Sequence, residues 1–218
     1  MNLRAPVPPR LLALGLGLGL GAAALAIQLW LSLSLQLGQG RDLPGTLGHF
    51  FSYYTILTNI ALVLIYLSET LPLAGLALFR HPLVRGLMAA NITLVTLFVY
   101  FVLRFQYELD GLWQTVDNML HYLCPALYLI WWLLGPHGAL RWRNLPVMIA
   151  PTFAYFLYIL ARGLWVVEYP YPVIDVARYG YGQVLLNAAG MTLFLAVLCA
   201  LVVAIDRALA RPRLSADA

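Results

Sequence analysis

The chain has 218 residues, of which 62% are hydrophobic and only 10% charged, and its mean hydropathy is +0.83. Soluble domains carry roughly 25% charged residues, so an ordinary soluble fold is excluded. Long, solidly apolar runs likewise exclude a transmembrane barrel, whose strands alternate over ~10 residues. The formal charge of +4 comes from 13 arginines and no lysine. They lie scattered at the ends of apolar runs, so they read as topology signals and not as a nucleic-acid surface.

The first apolar run, 11–37, carries no charge. A cleaved leader has an apolar core of about 7–15 residues, so this run is expected to be a spanning helix. Gly15, Gly17, Gly19 and Gly21 give it two overlapping GxxxG spacings, which permit close helix contact. Further helices are expected at 50–68, 86–103, 118–134, 145–161 and 183–205. The sequence thus predicts an all-α, polytopic six-transmembrane-helix bundle in one domain. Cys124 and Cys199 fall inside apolar runs and are expected to pack without a disulfide.

Six spans put both termini on one side. That side would hold Arg4, Arg10, Arg80, Arg85, Arg141, Arg143, Arg207, Arg211 and Arg213. The other would hold Arg41, Arg104, Arg162 and Arg178. The positive-inside rule then predicts cytoplasmic termini.

The second helix is divided in character. Ser52, Tyr53, Tyr54, Thr55, Thr58 and Asn59 crowd its first half, and the second half is nearly all Ala, Leu, Val and Ile. Polar groups at membrane depth face a bundle interior or a wet cavity, because lipid offers them no partners. In a six-span topology Thr55 lies below the outer surface, and His121 on the fourth helix reaches similar depth. Asp117 precedes His121 by four residues and shares its helix face. Tyr155 and Asn187 also fall toward the outer ends of their helices, and the inner half of the bundle is mainly aliphatic. A hydroxyl, an imidazole and a carboxylate at one depth suggest nucleophilic acyl chemistry, with His121 as base. Asn59, a Tyr or backbone N–H groups would hold the oxyanion.

Plainer readings compete. A membrane threonine ordinarily bonds a backbone carbonyl one turn earlier, and Asp117 would serve equally as an N-terminal helix cap. His49, His81 and His137 fall in loops or at boundaries, where solvated surface positions are expected. A non-catalytic lipid-binding or regulatory membrane protein is the alternative. Its signature would be Thr55 and His121 turned apart. Haem ligation would need two facing imidazoles, and His49 and His121 are the only plausible pair on the outer side, with His49 at the very mouth of its helix. No cofactor or metal is expected.

The segments FSYYTILTN (51–59) and DNMLHYLCPAL (117–127) resemble the androgen-induced family of integral-membrane threonine hydrolases, in its bacterial branch. The resemblance covers the helix count and the order of the two motifs. It implies a lipid esterase of the bacterial cytoplasmic (inner) membrane acting on long-chain esters, those of hydroxy fatty acids among them, with Thr55 as nucleophile and His121 as base. Thr58, one turn along, competes with Thr55, and the Leu57-Thr58-Asn59 pattern departs from the animal members. The implied partners are the bilayer and a fatty-acyl ester entering from the outer leaflet.

Overall fold

The computed structural model describes residues 7–106 and 108–210. Among them every regular element is helical. The helices are α1 (Pro9–Gly38), α2 (Leu43–Phe50), α3 (Tyr54–Thr70), α4 (Pro82–Phe101), α5 (Gly111–Asn118), α6 (Cys124–Leu133), α7 (Leu145–Val166) and α8 (Val176–Ala208). Four stretches, centred on α1, α4, α7 and α8, are long and apolar enough to cross a membrane, or five if α2 and α3 form one bent span. Of the arginines counted toward topology, Arg4, Arg211 and Arg213 lie outside the described residues.

α4 is the central element. Its most apolar stretch is 61% buried, against 17–28% in the other three long helices, which turn Leu, Val and Phe outward. α4 packs on α8, α3 and α6, and α1 packs on α3 and α6. One core joins Leu62, Ile65 and Tyr66 of α3 to Ile92 of α4, Trp131 of α6 and Leu195 of α8. The two GxxxG pairs of α1 divide sharply. A Cβ at Gly17 would sit 2.4 Å from the Tyr66 ring and one at Gly21 would sit 3.0 Å from Val63, whereas Gly15 and Gly19 face open space. Only the Gly17/Gly21 pair seats α1 on α3. Cys124 and Cys199 are buried and free.

Several boundaries differ from the sequence reading. The run expected as one helix over 50–68 is broken, with α2 and α3 meeting at 77°. Asp42 caps α2 by accepting from the Gly45 N–H at 3.0 Å, which places a helix inside the expected connector. Ser52 closes α2, its hydroxyl donating to the His49 carbonyl at 2.6 Å. The Ser52 carbonyl in turn accepts from the Tyr155 phenol at 2.8 Å, so the corner is held from both sides. The helix expected from residue 118 starts at Gly111. The one expected from residue 183 starts at Val176, capped by Asp175 and interrupted at Gly180 (φ 71°).

The end of the bundle where α1 begins is not simply aliphatic. Glu69 pairs with Arg85 and, at 3.1 Å, with Arg10, and both guanidiniums lie against the Trp131 ring. His137, expected in solvent, is buried against the Asp206 carboxylate at 3.3 Å. His81 caps α4 by accepting from the Leu83 N–H.

Candidate functional site

The 77° corner puts the N-terminus of α3 inside the protein. Tyr53, its N-cap, offers no side-chain bond to the first turn, so the donors that every helix leaves unpaired there need other partners. Thr55 is the second residue of that turn and is buried. Its N–H donates to the phenolic oxygen of Tyr171 at 3.3 Å.

Thr58 and Thr55 behave differently although they share a helix. The Thr58 hydroxyl donates back to the carbonyls of Tyr54 (2.9 Å) and Thr55 (3.0 Å), the ordinary habit of a threonine inside a helix. Thr55 instead turns its hydroxyl to Nε2 of His121 at 3.1 Å.

The ring of His121 is oriented from its other side. Nδ1 lies 2.9 Å from Oδ1 of Asp117 and 3.0 Å from the Asp117 carbonyl oxygen. Both are acceptors, so in the neutral imidazole the proton sits on Nδ1 and Nε2 is left to accept. A hydrogen bond from Thr55 Oγ1–H to Nε2 then follows. Since α5 begins seven residues before Asn118, Asp117 lies within a helix and does not cap one. The capping expectation is therefore replaced by contact with His121.

His121 sits on a single π-turn, Met119–Leu123. Pro125 is the cause, because it has no N–H and its ring crowds the carbonyl four residues earlier. The turn widens, and the Cys124 N–H bonds back to Met119. Leu120 and His121 thereby lose their usual helical donors. Neighbouring helices supply replacements: Asn59 Nδ2 donates to the Leu120 carbonyl (3.1 Å) and Thr96 Oγ1 to the His121 carbonyl (2.9 Å). Asn59 also donates to the Thr55 carbonyl at 2.9 Å. It therefore ties the Thr55 turn to the His121 turn and does not face a substrate.

The remaining expected residues fall around this centre. The Tyr54 phenol bonds Asn91 and, at 2.7 Å, Thr152. Tyr155 holds the Ser52 corner. Asn187 does not reach Thr55, since its amide donates to the Val173 carbonyl at 2.7 Å.

Tyr171 is the residue sequence reasoning missed. It rides on a strap, residues 167–175, folded across the corner. Val167 starts the strap in the left-handed region (φ 52°), an uncommon conformation for a β-branched residue. Glu168 anchors it, pairing with Arg41 and, at 3.2 Å, with Arg162, beside His49 at 3.7 Å. Burial alone would raise the Glu168 carboxyl, but the Arg162 and Arg41 guanidiniums outweigh it and hold it below the ordinary value. Tyr169 lies over Gly163, where a Cβ would come within 2.4 Å of its ring. Burial pushes the Tyr171 phenol up to about 12, so it keeps its proton at neutral pH. With its oxygen accepting from Thr55 N–H, that proton is directed elsewhere, and Thr55 Oγ1 lies 3.4 Å away.

Two chambers meet at Thr55. A chamber of about 280 Å³ is lined by Gln28, Ser32, His49, Asp117 and His121, and a narrow slot of about 60 Å³ by Val95, Phe98, Val99, Phe156 and Met191. Thr55, Leu103 and Tyr171 belong to both walls. Among the described residues no cluster of three or more His, Cys, Asp or Glu is placed to hold a metal ion. Comparison with known protein families, with characterised proteins and with solved structures finds no match for this chain.

Proposed function

We propose that the protein is a membrane-embedded carboxylic-ester hydrolase acting on long-chain lipid esters, with Thr55 as nucleophile and His121 as general base. The observation that carries this reading is the chain of contacts from Thr55 Oγ1 to His121 Nε2 and from His121 Nδ1 to Asp117. A threonine hydroxyl is a weak nucleophile until an adjacent base takes its proton, and here the base has its acceptor nitrogen aimed at that proton.

In the first step Thr55 Oγ1 attacks the ester carbonyl carbon while its proton passes to His121 Nε2. The carbonyl oxygen becomes an oxyanion at the N-terminus of α3, where the helix dipole favours negative charge. Thr55 N–H and the Tyr171 phenol are the donors beside it. The carbon–oxygen bond to the alcohol breaks, and His121 returns the proton to the departing oxygen. Water then gives its proton to His121 and attacks the acyl-threonine. The carbon–Oγ1 bond breaks, Thr55 regains the proton, and the fatty acid leaves.

Six spans with both termini in the cytoplasm complete the reading. The stretch 111–133 supports a sixth span, since helical dihedrals carry it through the π-turn at Asn118, Leu123 and Cys124. Contacts gather Arg10, Arg80 and Arg85 at one end of the bundle and Arg41 and Arg162 at the other. The resemblance to the membrane threonine hydrolases points to the same Thr and His, and a bacterial inner membrane is the setting it suggests.

The test is labelling of the purified protein by a fluorophosphonate probe, together with hydrolysis of p-nitrophenyl esters. Thr55→Ala and His121→Ala should abolish both, and Thr58→Ala should retain them. Full hydrolysis by folded Thr55→Ala would overturn Thr55 as the nucleophile, and folded wild type that neither labels nor hydrolyses would overturn the proposal in favour of a lipid-binding role.

A further inference from the structure

We infer that the acyl chain of the substrate reaches Thr55 from the bilayer through a gap between α4 and α8 and lies in the apolar slot, while the alcohol half and the attacking water occupy the polar chamber. The inference rests on Thr55 as the reacting group and concerns which way an ester must lie across it.

The slot is dry by construction. The hydroxyls along it are already engaged: Tyr54 and Thr152 share Asn91, Tyr155 bonds Ser52, and Thr192 bonds the Ala188 carbonyl at 2.8 Å. What remains facing the space is aliphatic and aromatic carbon, which suits an alkyl chain and not water.

A second apolar space adjoins the slot on its outer side. A groove of about 420 Å³ runs between α4 and α8 and shares Leu94, Phe98, Val173 and Met191 with the slot wall. Its outer edge carries Phe101 (67% exposed), Leu186 (65%) and Phe194 (42%). In a bundle crossing a bilayer, such side chains face hydrocarbon. The two adjoining apolar spaces therefore lie in line from the lipid-facing side toward Thr55, beyond which the wall becomes His121, Asp117 and Gln28. An ester has the same division, with its carbonyl at the junction between an apolar chain and a polar half. Only one orientation matches both.

Gly190 lies on the groove, and a Cβ added there meets nothing within 4 Å. Gly190→Trp should fold and obstruct the groove without touching Thr55 or His121. Gly19→Trp, on an outward face of α1 that is equally open, is the control. Two measurements are made in detergent: the palmitate-to-acetate ratio of kcat/KM for p-nitrophenyl esters, and binding of cis-parinaric acid to the Thr55→Ala protein.

Gly190→Trp should lower the ratio about tenfold or more, the scale of discrimination a hydrophobic site gives for lost methylene contacts, and should weaken parinaric acid binding. Gly19→Trp should change neither. A ratio and a binding constant both unmoved by Gly190→Trp would overturn the inference. Should the wild type hydrolyse no ester while Gly190→Trp still blocks parinaric acid, the hydrolase reading fails and the groove stands as an acyl-chain site.

Discussion

Tyr171 meets Thr55 twice, accepting from its N–H at 3.3 Å and lying 3.4 Å from its Oγ1. Both contacts are at the long end of hydrogen bonding, and both converge where an oxyanion attached to a Thr55 adduct would form. The phenol is held there by ring contacts with Tyr53 and Phe98 and by the Glu168 anchor three residues earlier. On the hydrolase reading it is thus a preorganised donor on an otherwise irregular segment. Preorganisation matters because a donor already in place needs no reorientation when charge develops.

Tyr171→Phe keeps these ring contacts and removes only the hydroxyl. On the hydrolase reading, kcat should fall by about 10²-fold, the lower end for loss of one oxyanion donor, and KM should change little. Stopped-flow or steady-state hydrolysis of p-nitrophenyl esters checks this. A change in KM alone, with kcat retained, would show that the phenol helps bind substrate and does not stabilise the oxyanion.

Asp117→Ala should be milder than loss of His121. The main-chain carbonyl of residue 117 also accepts from His121 Nδ1 and survives the substitution, so the tautomer is kept. A loss of about 10–100-fold in kcat is expected, comparable to removing an outer partner of a histidine ligand. Asp117→Asn should be no better, since an amide N–H turned toward Nδ1 would favour the opposite tautomer. A loss equal to that of His121→Ala would mean that the carbonyl alone does not hold the ring.

Part of this centre is legible in the sequence, and the legible part is helical. Asp117 and His121 share a face by their spacing of four, and the polar half of 50–68 marks a helix lining a cavity. Other parts depend on contacts far apart in the chain. Thr55 is distinguished from Thr58 only by the corner at Ser52, because continuous hydrophobicity hides a break made by side-chain hydrogen bonds. Asp117 reads as a cap only while the helix start is placed seven residues too late. Tyr171 lies 116 residues from Thr55 on a strap with no periodicity. Its position follows from Glu168, Arg41 and Arg162, a grouping that no local pattern announces. His137 is likewise drawn inward by Asp206, a carboxylate 69 residues away.

The strap anchor makes stability depend on acid. The Glu168 carboxyl is held below its ordinary value in the folded protein, so its pairing contributes stability above the unfolded carboxylate range. That contribution is lost as pH falls through the lowered folded value. The groups facing it are Arg41, Arg162 and His49. Thermal unfolding in detergent between neutral and acid pH should show an acid-sensitive component that Glu168→Gln removes. Equal acid sensitivity in Glu168→Gln would place the titrating group elsewhere.

Pro125 and Thr96 should be energetically coupled through the His121 carbonyl. Thr96→Val removes the donor at 2.9 Å and leaves that part-buried oxygen without its replacement partner, at a cost of about 1 kcal/mol. In a Pro125→Ala background the chain regains an N–H four residues beyond His121, within the ordinary reach of a helical bond. Thr96→Val should then be less damaging, with a coupling energy of about 0.5–2 kcal/mol in a double-mutant cycle, allowing for the modest values typical of hydrogen bonds in membranes. Activity gives a second reading of the same cycle. If the π-turn sets the direction of the imidazole, Pro125→Ala lowers kcat even where it raises stability, because the restored bond competes with Thr96 for the carbonyl that fixes the turn. Strict additivity of the two substitutions in stability would show that the proline and the threonine act on separate carbonyls.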